Sequence, residues 1–239
     1  MIPLRNILGE LTHACLPRLC PACGRALLPD EEAMCTRCLM ELPRIPLIGL
    51  ATGTGLPEAL SNGPAPAGFA AVWFRYDRHE SFADLVRNAK YADRPRQGRL
   101  LGRAFARELL AARPDAAAAL DVLLPVPMHW TKQLRRGYNQ SVEIARGISD
   151  ITGIPVGDNL EATSPHKTQT HRSRSKRLVN VRGTVACRYP DELSGLDIAI
   201  VDDIVTTGAT VSECVFAIGN SGARPASIGA LALGAPVIT

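Results

Sequence analysis

Leu196-Asp-Ile-Ala-Ile-Val-Asp-Asp-Ile-Val-Thr-Thr-Gly-Ala-Thr210 is the stretch on which the fold turns. It opens with apolar, largely β-branched residues from Ile198 to Val201, too few for a helix and bounded by Gly195 and two aspartates. A continuous apolar run of that length reads as a strand buried on both faces, the pattern of a parallel sheet. Asp202 and Asp203 then stand at the strand's carboxyl end. The small polar turn Thr206-Thr207-Gly208-Ala209-Thr210 follows, and after it Val211, Cys214, Val215 and Ile218 recur at helical spacing. The spacing predicts a helix that starts in the Thr/Gly turn and ends near Gly219 or Gly222.

Each residue type has a chemical use at that place. Ligands of open α/β sheets bind beyond the carboxyl ends of the strands. Unpaired N–H groups at a helix N-terminus, with threonine hydroxyls around them, make a cradle for phosphate. Gly208 lets the backbone close on such a group without a Cβ in the way. Paired carboxylates accept hydrogen bonds from a sugar diol or hold Mg²⁺ through oxygen. A ribose carrying a 5′-phosphate is the ligand this order of features describes. A strand end followed by a helix cap would explain any one of them alone.

Val201 to Thr210 resembles the phosphoribosyl pyrophosphate (PRPP) signature of the type I phosphoribosyltransferases: apolar strand, two acids, two variable residues, Thr-Thr-Gly-x-Thr. The resemblance implies that Asp202 and Asp203 take the ribose hydroxyls and that Thr206, Thr207, Gly208, Ala209 and Thr210 take the 5′-phosphate. Some purine-specific members carry an aspartate, a proposed proton acceptor, at the place of Thr206. A threonine cannot serve as a general base at neutral pH, so purine salvage is disfavoured.

With 239 residues, the chain is long enough for one sizeable core and a small appendage. A hydrophobic content of 46% and a charged content of 21% are ordinary for a globular protein, and a net charge of +4 does not announce a nucleic-acid binder. No apolar run approaches a membrane span, and the first ten residues lack the apolar core of a secretory signal, so the cytoplasm is the expected location. Seven cysteines include two pairs, Cys20-Pro-Ala-Cys23 and Cys35-Thr-Arg-Cys38, separated by eleven residues. Four thiolates so spaced suit the closed tetrahedral shell of a structural Zn²⁺, whose binding would supply the folding energy of a short ribbon. Redox chemistry is the reading of a lone Cys-x-x-Cys; two pairs favour zinc. Cys187 and Cys214, in apolar company, read as inert core residues.

Along the chain, residues 1–44 form the expected zinc ribbon, 45–69 a Gly/Pro/Ala-rich linker or loose loop, and 70–239 a domain that resembles the phosphoribosyltransferases. Residues 70–76 have strand composition, and 80–91 and 97–112 have helical periodicity, with Leu85 and Val86 on the first core stripe and Leu101, Phe105 and Leu109 on the second. Asp121 to Pro127 reads as a buried strand running into a basic loop, Met128 to Arg136, and then a helix capped by Ser141 and closed at Gly153. A strand entering a basic, glycine-containing loop is again an anion-site arrangement, with Pro127, Met128, Arg135 and Arg136 placed to hold a pyrophosphate. The polar, basic segment 165–177 reads as a mobile lid or a nucleic-acid contact, with Lys167, and Arg182 beyond it, closing over the pyrophosphate. Residues 226–233 form the last buried strand.

Taken together, Cys-x-x-Cys near the N-terminus, Pro-Val-Pro and Arg-Arg-Gly-Tyr-Asn-Gln, Lys-Thr-Gln-Thr and Asn-Val-Arg-Gly, then the PRPP-type loop, resemble the ComF family over most of the chain outside 45–69. His171-Arg172 departs from the small apolar pair expected after Thr170. The resemblance implies a parallel α/β sheet of the type I phosphoribosyltransferase fold with an N-terminal zinc ribbon, linked to competence and DNA uptake. PRPP, with Mg²⁺ held by Asp202 and Asp203, is the expected ligand, and phosphoribosyl transfer to an acceptor the expected reaction. A non-catalytic adaptor for single-stranded DNA or competence proteins is the alternative. A homodimer stands among the expectations.

Overall fold

The computed structural model describes residues 18–46, 54–61, 63–77, 82–86, 95–163 and 183–236. In chain order, helix α1 (Thr36–Glu41) closes the ribbon and α2 (Leu56–Ser61) precedes strand β1 (Ala67–Arg75). Helices α3 (Pro95–Ala112) and α4 (Pro114–Ala118) lead to β2 (Val122–Pro125), then α5 (Trp130–Arg136) and α6 (Gln140–Thr152). A hairpin of β3 (Leu160–Ala162) and β4 (Val185–Cys187) precedes β5 (Asp197–Ile204), α7 (Ala209–Asn220) and β6 (Ser227–Ala235).

Strands β1, β6, β5 and β2 lie side by side in that order, every neighbouring pair parallel. All their carboxyl ends therefore open on one edge, where a ligand of an open α/β sheet belongs. The sheet is covered on both faces, as a parallel sheet requires. Trp73, Leu123, Val201 and Leu233 bury against Leu101 and Phe105 of α3 and Ile144 and Ile148 of α6. Val72, Leu124, Ile198, Ile200 and Ala230 bury against Leu56 and Leu60 of α2 and Val211, Val215 and Ile218 of α7. The apolar run Ile198–Val201 is thus fully enclosed, each residue 0% exposed.

Helices α3 and α6 cross at glycines. A Cβ on Gly102 would overlap the Ile144 carbonyl, and one on Gly147 would overlap the Arg99 carbonyl, both well inside the 3.0 Å that real Cβ atoms respect. The close crossing brings Arg99 to Asp150 at 2.6 Å and holds the first turn of α6 over the carboxyl end of β5.

Three expectations are corrected. Within the stretch expected to be a loose loop, α2 buries Leu56 and Leu60, 0% and 1% exposed, each burial stabilising by about 1.5–3 kcal/mol. Residues 43–45 also run antiparallel to β1, with the Arg75 N–H donating to Pro43 O and the Ile45 N–H to Trp73 O. The cap of α6 is Asn139, whose side chain accepts from Ser141 N, and Ser141 sits inside the helix; Gly153 closes it in the left-handed conformation. The basic segment expected as a loop after Pro127 is largely helix α5, capped by His129 and ended by Gly137 at φ 81°. Residues 83–86 are helical, while the rest of the helix expected over 80–91 lies outside the described residues.

Candidate functional site

The sheet's carboxyl edge is built by two returns of the chain. After β2, the Val126 N–H donates to Val201 O, the Asn139 side chain donates to Val126 O, and Ser141 Oγ donates to Asp202 Oδ1 at 3.3 Å. Asp202 is 8% exposed and also accepts from the Asp203 N–H at 2.8 Å. Its carboxylate lies at the first turn of α6, the end of a helix that favours negative charge. Asp203 is half-buried, accepting from the Ile204 N–H at 2.7 Å. A buried and a half-buried carboxylate at one strand end are oxygen groups of the kind that accept from hydroxyl donors or ligate a hard cation.

The second return is the turn 206–208 and the start of α7. Gly208 takes φ 73° as the residue before the helix, and among the described residues α7 has no side-chain cap. The N–H groups of its first turn thus keep the donor capacity that an anion would use. Thr206 is exposed and Thr207, Ala209 and Thr210 are half-buried. Gly208 rests on the Gly55 carbonyl and Ala59 of α2, and Gly55, at φ 79°, in turn faces the carbonyl of Thr207. The stretch expected to be linker therefore supports the candidate phosphate loop.

Pro127 and Met128 are half-buried beside this edge, followed by the buried His129. Among the described residues Arg136 Nε is buried without a hydrogen-bond partner, so the guanidinium keeps a donor for an anion. Arg135 lies on α5, and Lys167, Arg182 and the segment 165–177 lie outside the described residues. Thr184 and Glu213 connect the base of the β3–β4 hairpin to α7, the Thr184 N–H donating to the buried Glu213 Oε1 at 2.9 Å. Gly55, Ser141 and Glu213 are the contributors that local pattern did not reveal. Cys214 is fully buried; that burial, with Asp202 and Glu213 nearby, pushes its thiol up and keeps it protonated.

A separate centre stands on the ribbon. The sulfurs of Cys20, Cys23, Cys35 and Cys38 all lie within 4.8 Å of one another, with Cys23 and Cys35 at 3.7 Å. Four sulfurs about 2.3 Å from one ion would be about 3.8 Å apart, so this set fits a tetrahedral zinc shell. Cys20 and Cys23 sit on a tight knuckle closed by the Gly24 N–H to Cys20 O, Gly24 taking φ 74°. Cys35 caps α1, and its sulfur accepts from Cys38 N at 3.5 Å, while Cys20 Sγ accepts from Cys35 N at 3.4 Å. Burial pushes the Cys35 thiol up, yet the Cys38 N–H and the neighbouring thiols outweigh it and hold it at about 7. Burial beside those same sulfurs pushes Cys38 up, since four negative sulfurs cannot gather without a cation. Glu31 braces the ribbon from within: the Leu28 and Thr36 N–H groups and Arg25 bond its carboxylate and hold it down at about 2.

The ribbon is fastened to the sheet's helical cover. Met34 and Leu42 share a core with Trp73 and Phe105, and Gln97 Nε2 donates to Ala33 O at 2.8 Å. Glu108 bonds Arg44 through both its oxygens and accepts from Trp73 Nε1 at 2.9 Å.

No protein-family model matches the chain. It is similar to the DNA utilization protein YhgH of Salmonella typhimurium, 27% identical over 220 residues that cover 89% of this chain and 96% of that protein. YhgH of Escherichia coli K12 is 28% identical over 217 residues, 88% of each chain. Competence protein F of Haemophilus influenzae is 32% identical over 95 residues, 39% of this chain and 42% of that protein. Among the described residues no helix is long and apolar enough to cross a membrane. Similarity along nearly the whole length to YhgH, and in part to Competence protein F, supports the chain's membership of the ComF family.

Proposed function

We propose that the chain binds PRPP with Mg²⁺ at the carboxyl edge of the sheet and transfers its phosphoribosyl group to an acceptor. The single observation that carries this reading is the pairing of Asp202 and Asp203 at the end of β5 with the uncapped first turn of α7 reached through Gly208. Asp202 and Asp203 accept hydrogen bonds from the ribose diol, and Ser141 orients Asp202. Backbone N–H groups and threonine hydroxyls from Thr206 to Thr210 hold the 5′-phosphate. Arg135, Arg136 and the chain at Pro127 and Met128 hold the pyrophosphate, whose growing charge is the main demand as the bond to ribose C1 lengthens. Mg²⁺ bound with the carboxylates would add charge neutralisation on the same leaving group. The ribbon holds a structural zinc ion through Cys20, Cys23, Cys35 and Cys38.

The relatives are named for DNA utilization and for competence, which supports a competence-related role for this chain. Those names also favour a second reading, an adaptor without catalysis that contacts single-stranded DNA or uptake proteins. Calorimetric titration of PRPP, with and without Mg²⁺, into wild type and Asp202→Asn/Asp203→Asn separates the two. Mg²⁺-dependent heat that the double variant loses supports the transferase reading. A folded, zinc-loaded protein that takes up no PRPP leaves the adaptor.

A further inference from the structure

From the seam between the ribbon and α3 we infer that the protein has a second anion site, remote in sequence from the PRPP loop, that takes the phosphodiester backbone of a nucleic-acid strand. A cavity of about 560 Å³ opens there, lined by Arg18, Arg96, Arg99, Arg103, Glu32 and Leu100 among others. Arg96, Arg99, Arg103 and, further on, Arg107 recur along one side of α3 at helical spacing. Four guanidinium groups against one carboxylate leave the lining with a formal surplus of three positive charges.

The fold consumes only part of that surplus. Arg99 is paired with Asp150. Glu32, however, is shared between Arg107 at 3.1 Å and Arg103 at 3.8 Å, the second too long for a hydrogen bond. Among the described residues Arg18 Nε and Arg103 Nε are both buried without a hydrogen-bond partner, and Arg18 reaches the Leu28 and Pro29 carbonyls. Arg96 has no ion-pair partner among the described residues. Buried guanidinium donors left unmet cost free energy unless an acceptor arrives, and arginine forks match phosphate. The acidic part of the seam, Asp30, Glu31 and Glu32, lines the neighbouring cavity with Arg107, so the positive surplus is confined to the N-terminal half of α3.

The geometry favours a strand over a single phosphate. Arg96 to Arg103 spans about 10 Å of helix at 1.5 Å per residue, so one phosphate cannot meet the whole row. A ligand that does must carry phosphates along its length. Among the described residues no aromatic side chain lines the cavity, so the described lining offers phosphate contacts and no platform for stacking bases. This inference rests on the DNA-related role proposed above and not on PRPP binding.

The test is fluorescence anisotropy of labelled single-stranded and duplex DNA with the full-length, zinc-loaded protein across a salt series. Wild type should bind with an affinity that falls steeply with salt, each phosphate contact adding about 0.7 to the log–log slope for a single strand. Arg96→Glu/Arg103→Gln should lose about tenfold or more in affinity and at least one contact's worth of slope. Arg37→Gln, which removes an exposed ribbon arginine outside the cavity, should bind like wild type. Glu32→Gln should bind more tightly, a gain that misfolding cannot mimic. If the Arg96/Arg103 variant binds as tightly as wild type, the cavity is overturned as the contact while a DNA role stands. If wild type ignores both DNA forms at low salt, the DNA role and the cavity fail together. If inorganic pyrophosphate displaces DNA at equal phosphate concentration, the strand assignment is overturned.

Discussion

Gly208 and Gly55 meet backbone against backbone: a Cβ on Gly208 would strike the Gly55 carbonyl, and one on Gly55 would lie 3.1 Å from the Thr207 carbonyl carbon. Both residues also take positive φ, 73° and 79°, which costs a side-chain-bearing residue further strain. The turn that begins α7 is therefore shaped from behind by the turn that begins α2. Gly208→Ala should destabilise the fold by about 1–3 kcal/mol and push the N–H groups of Thr207 to Thr210 out of line. Thermal unfolding should show a Tm lower by a few degrees, and PRPP affinity should fall about tenfold or more. A variant that melts lower yet binds PRPP as wild type does would show that this turn holds no phosphate.

Ser141 contributes its hydroxyl to Asp202 from another element, 61 positions away in sequence. The carboxylate retains the Asp203 N–H when that hydroxyl is removed, so Ser141→Ala should fold normally. The loss of one hydrogen bond to a charged, buried group, about 1.5 kcal/mol, should weaken Mg²⁺-dependent PRPP binding about tenfold. Asp202→Asn should weaken it far more. Equal affinities for Ser141→Ala and wild type in calorimetry would remove Ser141 from the site.

What could be read from the sequence was local in origin. The run Ile198–Val201 is buried on both faces because nothing polar interrupts it, and its period needs no knowledge of neighbours. The cysteine pairs are equally local, since each closes a knuckle or a helix cap within four residues. The helix Leu56–Ser61 was hidden by the glycines and prolines around it: a six-residue helix has too few turns for periodicity, and tertiary burial of Leu56 and Leu60 stabilises it. Asn139 and Ser141 are both good capping residues two positions apart, and only the fold decides between them. Trp130 to Arg136 looked like a loop because its apolar side chains face outward, Trp130 and Leu134 being 63% and 76% exposed. The Ser141–Asp202 and Gly55–Gly208 relations are products of the sheet's strand order, which pattern alone does not encode.

The four ribbon sulfurs are bunched so closely that the protonated cluster and the cation-bound cluster must differ in stability. Cys35→Ser should abolish binding of one zinc ion per chain, measured by metal analysis of purified protein. Because Met34 and Leu42 pack into the same core as Trp73 and Phe105, loss of the ion should also lower the Tm of the whole domain. Chelation of wild-type zinc should reproduce the effect. A chelated protein whose melting is unchanged would show that the ribbon folds on its packing alone.

Glu108 joins that ribbon to the core, bonded to Arg44 on one side and Trp73 on the other. Burial tends to raise its carboxyl, but the Arg44 and Trp73 hydrogen bonds and the Arg44 charge prevail and hold it below the ordinary value of 4.5. A carboxylate whose affinity for protons falls on folding stabilises the fold while it is ionised. Its contribution is complete above pH 4.5 and is lost as pH falls through its lowered value in the folded protein. Glu108→Gln removes the charge at every pH. At neutrality it should cost about 1–2 kcal/mol after allowance for partial exposure, and lower the Tm by about 2–8 °C. The gap between wild type and variant should stay constant from pH 7 down to the ordinary carboxylate range and narrow below it. Melting curves that keep the same gap at all acid pH values, or a gap that widens on acidification, would show that the charge of Glu108 does not hold Arg44 and the ribbon to Trp73.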